Sequence, residues 1–284
     1  MSERLSVRKT YKLYIGGAFP RSESGRSYVV NDAKGRFLAN ASQASRKDVR
    51  DAVVAARKAF GGWSSRTPYN RGQILYRVAE MLEGRRTQFV DELRAGGAAK
   101  TAASAEVDAA IDRWVWYAGW ADKIGAVAGN ANPVAGPFFN LSTPEPSGVV
   151  GIVAPDSALL GLVSVVAPAI VTGNTAVVVA SEPAPLPAIT LAEVLATSDL
   201  PGGVVNLLTG RRAELAPWLA SHMDVNAIDL AGVSEEAVTD LEKAAADNLK
   251  RVLRPGIGDW SAEPGTDRMT AFLETKTVWH PVGV

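Results

Sequence analysis

Three short apolar runs, each followed by a stretch of helical periodicity, constrain the fold of this chain more than any other feature. The runs cover 148–153, 174–179 and 203–208. They are apolar without alternation, which is typical of strands covered on both faces. We therefore expect an α/β fold built on a doubly wound parallel sheet. Ligands bind at the carboxyl ends of such strands, so the residues that follow each strand are the first candidates for a site.

The rest of the chain supplies further elements around this sheet. A strand over 11–17 and the β-prone residues 27–30 predict a hairpin, and a Trp-rich helix over 105–120 is expected to pack in the core rather than stack on a cofactor. The remaining sheet elements are four crossover helices at 158–171, 186–197, 213–221 and 234–247 and two strands near 227–230 and 251–253. These elements predict a five-stranded, doubly wound unit.

Two segments outside the sheet indicate association rather than catalysis. Residues 125–146 are poor in helix signal and contain Phe138 and Phe139, which predicts an extended hairpin or arm. Residues 255–267 are rich in Gly and Pro and are predicted to be a linker. The tail over 272–282 is β-prone without a partner strand nearby in sequence, so we expect it to pair elsewhere in the chain or with another subunit.

Composition excludes several classes of function. Thirty basic and thirty acidic residues leave no net field that would attract nucleic acid or an anionic membrane. The longest apolar stretch, 158–180, is interrupted by Pro168, Gly173 and Asn174, so a cytoplasmic protein is expected. The absence of cysteine excludes disulfides, thiolate metal sites and thiol nucleophiles. His222 and His280 have no ligand partners at metal-binding spacing, so no metal site is expected.

Several spaced motifs occur in the order found in one enzyme family. They are Pro-Glu-Pro-Ser-Gly-Val-Val-Gly-Ile-Val-Ala-Pro at 144–155, Ala-Pro-Ala at 167–169, Gly-Asn-Thr at 173–175, Leu-Pro-Gly-Gly-Val-Val-Asn at 200–206, Thr-Gly at 209–210, and the tail at 272–279. The chain thereby resembles the aldehyde dehydrogenase superfamily, and residues 114–120 and 133–141 resemble the cysteine-free second module of its two-module members. The resemblance implies a Rossmann-like nucleotide-binding domain over 1–258 with an oligomerisation arm at about 123–147. It also implies a linker and oligomerisation strand over 259–284, with the catalytic domain absent.

The same resemblance implies that the catalytic groups are missing. Pro255 occupies the position of the family's general-base glutamate, and Ser157 occupies the position of the asparagine that donates to the oxyanion. The chain has no cysteine that could act as the nucleophile. Asp156 beside Ser157 disfavours a developing negative charge. Loss of one oxyanion donor alone raises a barrier by about 2.7–4 kcal/mol. We therefore assign no catalytic residue and expect no enzyme activity from the chain on its own.

The cofactor motifs are also incomplete. The family's Lys-Pro-x-Glu reads Val-Ala-Ser-Glu at 179–182, and Glu235-Glu236 stand at a helix start that would otherwise favour phosphate. The resemblance leaves as candidate NAD(P) contacts Pro155, Glu182, Gly210, Gly232 and Ser234. We expect no cofactor, with NAD(P) binding as the alternative, and we interpret Lys100, Glu106 and Glu182 as ordinary surface charges.

Three functions remain after these exclusions. The first is a non-catalytic subunit that assembles with a full-length catalytic aldehyde dehydrogenase through the arm and the tail. The second is an NAD(P)-binding protein, either a sensor or an oxidoreductase of altered mechanism. The third is a structural protein that assembles only with itself. The predicted interface residues are Phe138, Phe139, Thr275, Thr277, Val278 and Trp279.

Overall fold

The computed structural model describes residues 7–256 and 258–283. Residues 1–6, 257 and 284, which fall within the predicted domains 1–258 and 259–284, lie outside the described residues. The helices are α1 (Arg46–Ser64), α2 (Pro68–Glu83), α3 (Arg86–Ala95), α4 (Lys100–Trp120), α5 (Ile124–Ala128), α6 (Leu160–Val171), α7 (Leu186–Leu195), α8 (Arg212–Ser221), α9 (Glu235–Ala246) and α10 (Asp267–Ala271). The strands are β1 (Ser27–Asn31), β2 (Phe37–Ser42), β3 (Asn130–Asn132), β4 (Phe138–Pro146), β5 (Val149–Val153), β6 (Thr175–Val179), β7 (Val205–Leu208), β8 (Ala227–Asp229), β9 (Arg251–Leu253) and β10 (Leu273–Pro281).

The predicted parallel sheet is confirmed. Its five strands lie in the order β7-β6-β5-β8-β9, and all four pairings between them are parallel. Every residue of β5 and β6 is buried, because helices cover both faces of the sheet. The order changes direction at β5, from which the chain first moves toward β7 and then toward β9. The crevice at the carboxyl ends of the central strands is therefore the expected place for a ligand.

Two helices fix the packing around this sheet. The first, α1, begins with a capping box between Ser45 and Asp48, and near its end the Trp63 indole N–H donates to the Ile170 carbonyl of α6 at 2.9 Å. In α4, Trp114 and Tyr117 are buried, which confirms the prediction of core packing. Although α6 is buried throughout, no helix in the described part of the chain is long and apolar enough to cross a membrane.

The predicted N-terminal hairpin is wrong in its pairing. Strand β1 pairs with β2, and the 11–17 segment forms only isolated bridges. Tyr14 exchanges two backbone hydrogen bonds with Leu207 of β7, at 2.9 and 2.8 Å. The edge of β7 presents unpaired backbone N–H and C=O groups to this segment. The segment therefore adds to the main sheet instead of pairing with β1.

The predicted arm contains the hairpin of β3 and β4, but it begins with the short helix α5 instead of being extended throughout. The tail strand β10 joins this hairpin in a three-stranded antiparallel sheet, the arm sheet, in the order β10-β4-β3. The tail strand β10 pairs with β4 of the same chain over nine residues, from Leu273 opposite Pro146 to Pro281 opposite Phe138. Of the two pairings expected for the tail, the described structure has the one within the chain. Strand β10 remains an edge strand whose outer side has no partner among the described residues.

The segment predicted to be a linker is held firmly against α4. The buried Arg113 guanidinium donates to the carbonyls of Trp260 and Ala262, each at 2.9 Å. Just beyond this segment, Arg268 of α10 forms an ion pair with Asp229, a fully buried residue at the end of β8. Arg113 thus ties the segment to α4, and the buried ion pair ties the helix that follows it to the sheet, contacts that the Gly/Pro composition does not reveal.

Candidate functional site

The carboxyl edge of the parallel sheet gathers the residues that the sequence singled out. Ser157 follows β5, and Pro255 follows β9 at the outer edge of the sheet. The candidate cofactor residues follow β5 (Pro155), β6 (Glu182), β7 (Gly210) and β8 (Gly232 and Ser234). These residues share one edge of the sheet because the strands are parallel. Their individual contacts determine whether this edge can bind a ligand or support catalysis.

Ser157, at the predicted oxyanion position, is already committed to hydrogen bonds within the chain. Its Oγ accepts from the Gly161 N–H at 2.8 Å and donates to the Glu106 carboxylate at 3.4 Å. The same Glu106 oxygen accepts from the backbone N–H groups of Leu159 and Leu160, at 3.1 and 3.2 Å. Glu106 therefore caps the start of α6, and its interpretation as an ordinary surface charge was wrong.

We expect the substitution Glu106→Ala to destabilise the fold by about 1–3 kcal/mol, because three donors at the start of α6 lose their acceptor. Urea unfolding followed by circular dichroism measures this loss. The matched variant Glu106→Gln keeps an acceptor oxygen and should lose about 0.3–1 kcal/mol, the contribution of the negative charge near the helix N-terminus. Equal losses in the two variants would contradict the capping role.

Glu182 also has partners that its sequence position does not reveal. Its carboxylate accepts from the Arg211 guanidinium at 2.6 Å and from the Arg212 backbone N–H at 3.0 Å. Partial burial opposes ionisation, but these hydrogen bonds outweigh it and lower the pKa of Glu182. Glu182 is thus a charged cap at the start of α8, so its interpretation as an ordinary surface charge was also wrong.

Arg212 is the residue at this edge that the sequence reasoning missed. Its guanidinium donates to the Ala154 carbonyl at 2.8 Å and pairs with the Asp156 carboxylate at 2.7 Å, so it joins the end of β5 to the start of α8. Its Nε is buried without a partner among the described residues. Arg212 also lines a cleft of about 490 Å³ between α8 and α9. The Arg-Arg pair directly after Gly210 was the available signal.

The two candidate glycines are required by close packing. A Cβ on Gly232 would lie 2.0 Å from the Ala154 carbonyl oxygen, and one on Gly210 would lie 3.1 Å from the Ala44 nitrogen. The Gly232 N–H donates to the Val153 carbonyl at 2.8 Å. Both glycines therefore allow the loop to approach the neighbouring backbone, whether or not a ligand binds there.

The start of α9 does not suit a phosphate. The nearby backbone N–H of Glu236 and the Ser234 hydroxyl lower the pKa of the Glu236 carboxyl, so this group stays charged. A phosphate would meet this negative charge in place of free N–H donors. The cleft between α8 and α9 has the size and partly apolar walls that suit a flat ring, but the neighbouring residues do not fit the pyrophosphate of a dinucleotide.

The predicted interface residues lie together on the arm sheet. Phe138 and Phe139 belong to β4, and the others belong to β10. The rings of Phe138 and Trp279 meet edge to face with centroids 5.7 Å apart. Thr277 shares a hydrogen bond of 2.8 Å with Ser142 of β4. These residues therefore lie on two paired strands and face both sides of the arm sheet.

Comparison with known proteins gives one consistent match. The model of the aldehyde dehydrogenase family matches residues 19–254. Aldehyde dehydrogenase, cytosolic 1 of Elephantulus edwardii is 34% identical over 85% of this chain and 49% of its own length. An aldehyde dehydrogenase of Alternaria alternata is 34% identical over 84% and 49%. The crystal structure of NAD-dependent aldehyde dehydrogenase from Sinorhizobium meliloti superposes with a TM-score of 0.82 at 29% identity, covering 87% of this chain and 50% of that one. The chain spans about half the length of the curated relatives it matches.

Proposed function

Since this chain belongs to the aldehyde dehydrogenase family, we propose that it acts as a non-catalytic subunit that assembles with a full-length catalytic aldehyde dehydrogenase. The partner supplies the chemistry, and this chain supplies a nucleotide-binding-type fold with an association surface. A cytoplasmic location is part of the proposal, because the relative from Elephantulus edwardii is named as cytosolic.

The observation that carries the proposal is the exposure of aromatic side chains on the arm sheet. Phe138, Phe139 and Trp279 are 43%, 50% and 55% exposed. Phe138 and Phe139 are consecutive residues of a strand, so they point to opposite faces of the sheet. Aromatic side chains that are exposed to water on both faces, next to the unpaired edge of β10, are unfavourable in free energy. They indicate a surface that a partner covers.

The carboxyl edge supports the absence of chemistry. Ser157 is held by Glu106 and the α6 backbone, and Pro255 has no group that can accept a proton. The chain contains no cysteine. A covalent route to aldehyde oxidation needs a nucleophile, an oxyanion donor and a base, and this chain has none of the three in place.

Native mass spectrometry of the chain, alone and mixed with a full-length aldehyde dehydrogenase from the same source, tests the proposal. We expect a mixed oligomer. Oligomers of this chain alone would favour the structural protein that assembles only with itself. A monomer under both conditions would exclude both kinds of assembly.

The double variant Phe139→Ser/Trp279→Ser should weaken the mixed oligomer at least thirtyfold, because the loss of one aromatic hot spot alone costs about 2 kcal/mol and the contributions of neighbouring hot spots are not additive. The dissociation constant from a dilution series measures the effect. Tyr69→Ser removes an aromatic residue that is 66% exposed on α2 and serves as the control, with no change expected. Equal affinity in both variants would place the interface elsewhere.

One observation favours the second candidate, an NAD(P)-binding protein. Arg212 lines the cleft between α8 and α9, and its guanidinium is a cationic donor of the kind that binds phosphate oxygens. Calorimetric titration with NAD and with NADP tests this function separately. Heat that disappears in Arg212→Gln would support it, and no heat with either dinucleotide would remove it without affecting the assembly proposal.

A further inference from the structure

A cavity of about 350 Å³ lies between the N-terminal segment and the β1–β2 hairpin, away from the carboxyl edge of the main sheet. Among the residues that the structure describes, four cationic side chains line it and no Asp or Glu does; the cations are Arg8, Lys9, Arg21 and Arg26. Because the chain as a whole has equal numbers of acidic and basic residues, this cavity represents a local concentration of positive charge.

The four cations fall into two classes. Lys9 pairs with Glu193 at 2.9 Å, and Arg26 pairs with Glu214 at 2.6 Å, so the chain itself balances these charges. Within residues 7–256 and 258–283, neither Arg8 nor Arg21 has a carboxylate within ion-pair distance. The cavity therefore holds two uncompensated positive charges, both on guanidinium groups.

We propose that this cavity binds a small phosphate ester that carries two negative charges. Such a ligand matches the two uncompensated guanidinium groups, which bind phosphate through paired N–H donors. The cavity is at the lower end of the size range of small-molecule sites and has room for more than inorganic phosphate. The organic part would lie against Phe37 and the side chain of Asn40, which has no hydrogen-bond partner among the described residues.

Phe37 also positions one of the two cations. The Arg8 guanidinium lies over the Phe37 ring, 4.8 Å from its centroid. This contact leaves the N–H groups of Arg8 free, because a ring face accepts a cation without using its hydrogen-bond donors. The site is independent of the assembly surface, since none of its lining residues belongs to β4 or β10.

Isothermal calorimetry with glucose 6-phosphate at low salt tests the inference, with glucose as the matched neutral control. The phosphate ester carries nearly two charges at neutral pH. We expect saturable binding of the ester, none of glucose, and a loss of affinity as salt is raised. Absence of heat with the ester would overturn the inference, and so would tighter binding of citrate, which would assign the cavity to carboxylates.

Single substitutions Arg8→Gln and Arg21→Gln should each weaken binding at least tenfold, because each removes a charge-assisted pair. Both side chains are exposed, so folding is not at risk. Arg50→Gln on α1 removes a cation that does not line the cavity and should leave the affinity unchanged. An affinity that is unchanged in the Arg8→Gln/Arg21→Gln double variant, or lowered equally by Arg50→Gln, would show non-specific attraction and overturn the site.

Discussion

The substitution Arg268→Ala is expected to lower the free energy of unfolding by about 3–5 kcal/mol, because it leaves the Asp229 carboxylate buried without its cation. Asp229 is fully buried at the end of β8, where its carboxylate also accepts a hydrogen bond from the Ala231 N–H at 3.0 Å. Arg268 also lies over the Trp260 ring at 5.2 Å, so the variant loosens the 255–267 segment. Urea unfolding of the wild type and the variant measures the loss.

The loss should depend on pH in a defined direction. Burial raises the pKa of Asp229, and Arg268 opposes that rise. Without Arg268 the folded-state pKa moves further above the unfolded one, so the cost is largest near neutral pH. It shrinks as the pH falls through the raised pKa and the carboxyl becomes neutral. A loss that stays constant or grows toward acid pH would contradict the buried pair.

Two controls separate the ion pair from general damage. The double variant Asp229→Asn/Arg268→Ala removes both charges and should recover most of the stability that Arg268→Ala loses. Arg254→Ala breaks the pair of Arg254 with Glu242 on the surface, where the Arg254 side chain is 70% exposed. That variant should lose less than about 1 kcal/mol.

The substitution Trp63→Ala should destabilise the chain by about 3–5 kcal/mol, since it empties a fully packed site between α1 and α6. Trp63 is 1% exposed, and its indole N–H reaches the Ile170 carbonyl. Urea unfolding measures the loss. Trp63→Phe keeps an aromatic ring and removes the hydrogen bond, so it should lose about 1–3 kcal/mol. Trp218→Ala, at a residue 37% exposed on α8, should have a much smaller effect, and a comparable loss there would contradict the packing argument.

The parallel sheet could be predicted because its signal is local. Strands β5 and β6 are apolar on both faces, and each is followed by a helix. The change from an unalternating apolar run to helical periodicity is therefore visible in the sequence itself. The N-terminal pairing could not be predicted in this way. Whether residues 11–17 join β1 or β7 depends on which edge is open, and that is known only after the sheet has formed.

The candidate site could be predicted by position but not by role. Parallel strands place Ser157, Glu182 and Gly232 at one edge, and the sequence places each of them directly after a strand. The sequence does not show that Glu106, which lies on α4 and 51 residues before Ser157, accepts a hydrogen bond from the Ser157 hydroxyl and caps α6. Side chains that complete a site from a distant helix carry no local pattern, because their partner is chosen by tertiary packing.

The pairing of β10 with β4 has a consequence for the chain while it is being made. Ser142 and Thr277, which hydrogen-bond across these strands, are 135 residues apart. At translation rates of about 5–20 residues per second, β4 waits on the ribosome for roughly 7–27 seconds before β10 is synthesised. During that interval the aromatic end of β4 is an unpaired edge that can be captured by a chaperone or by a neighbouring nascent chain.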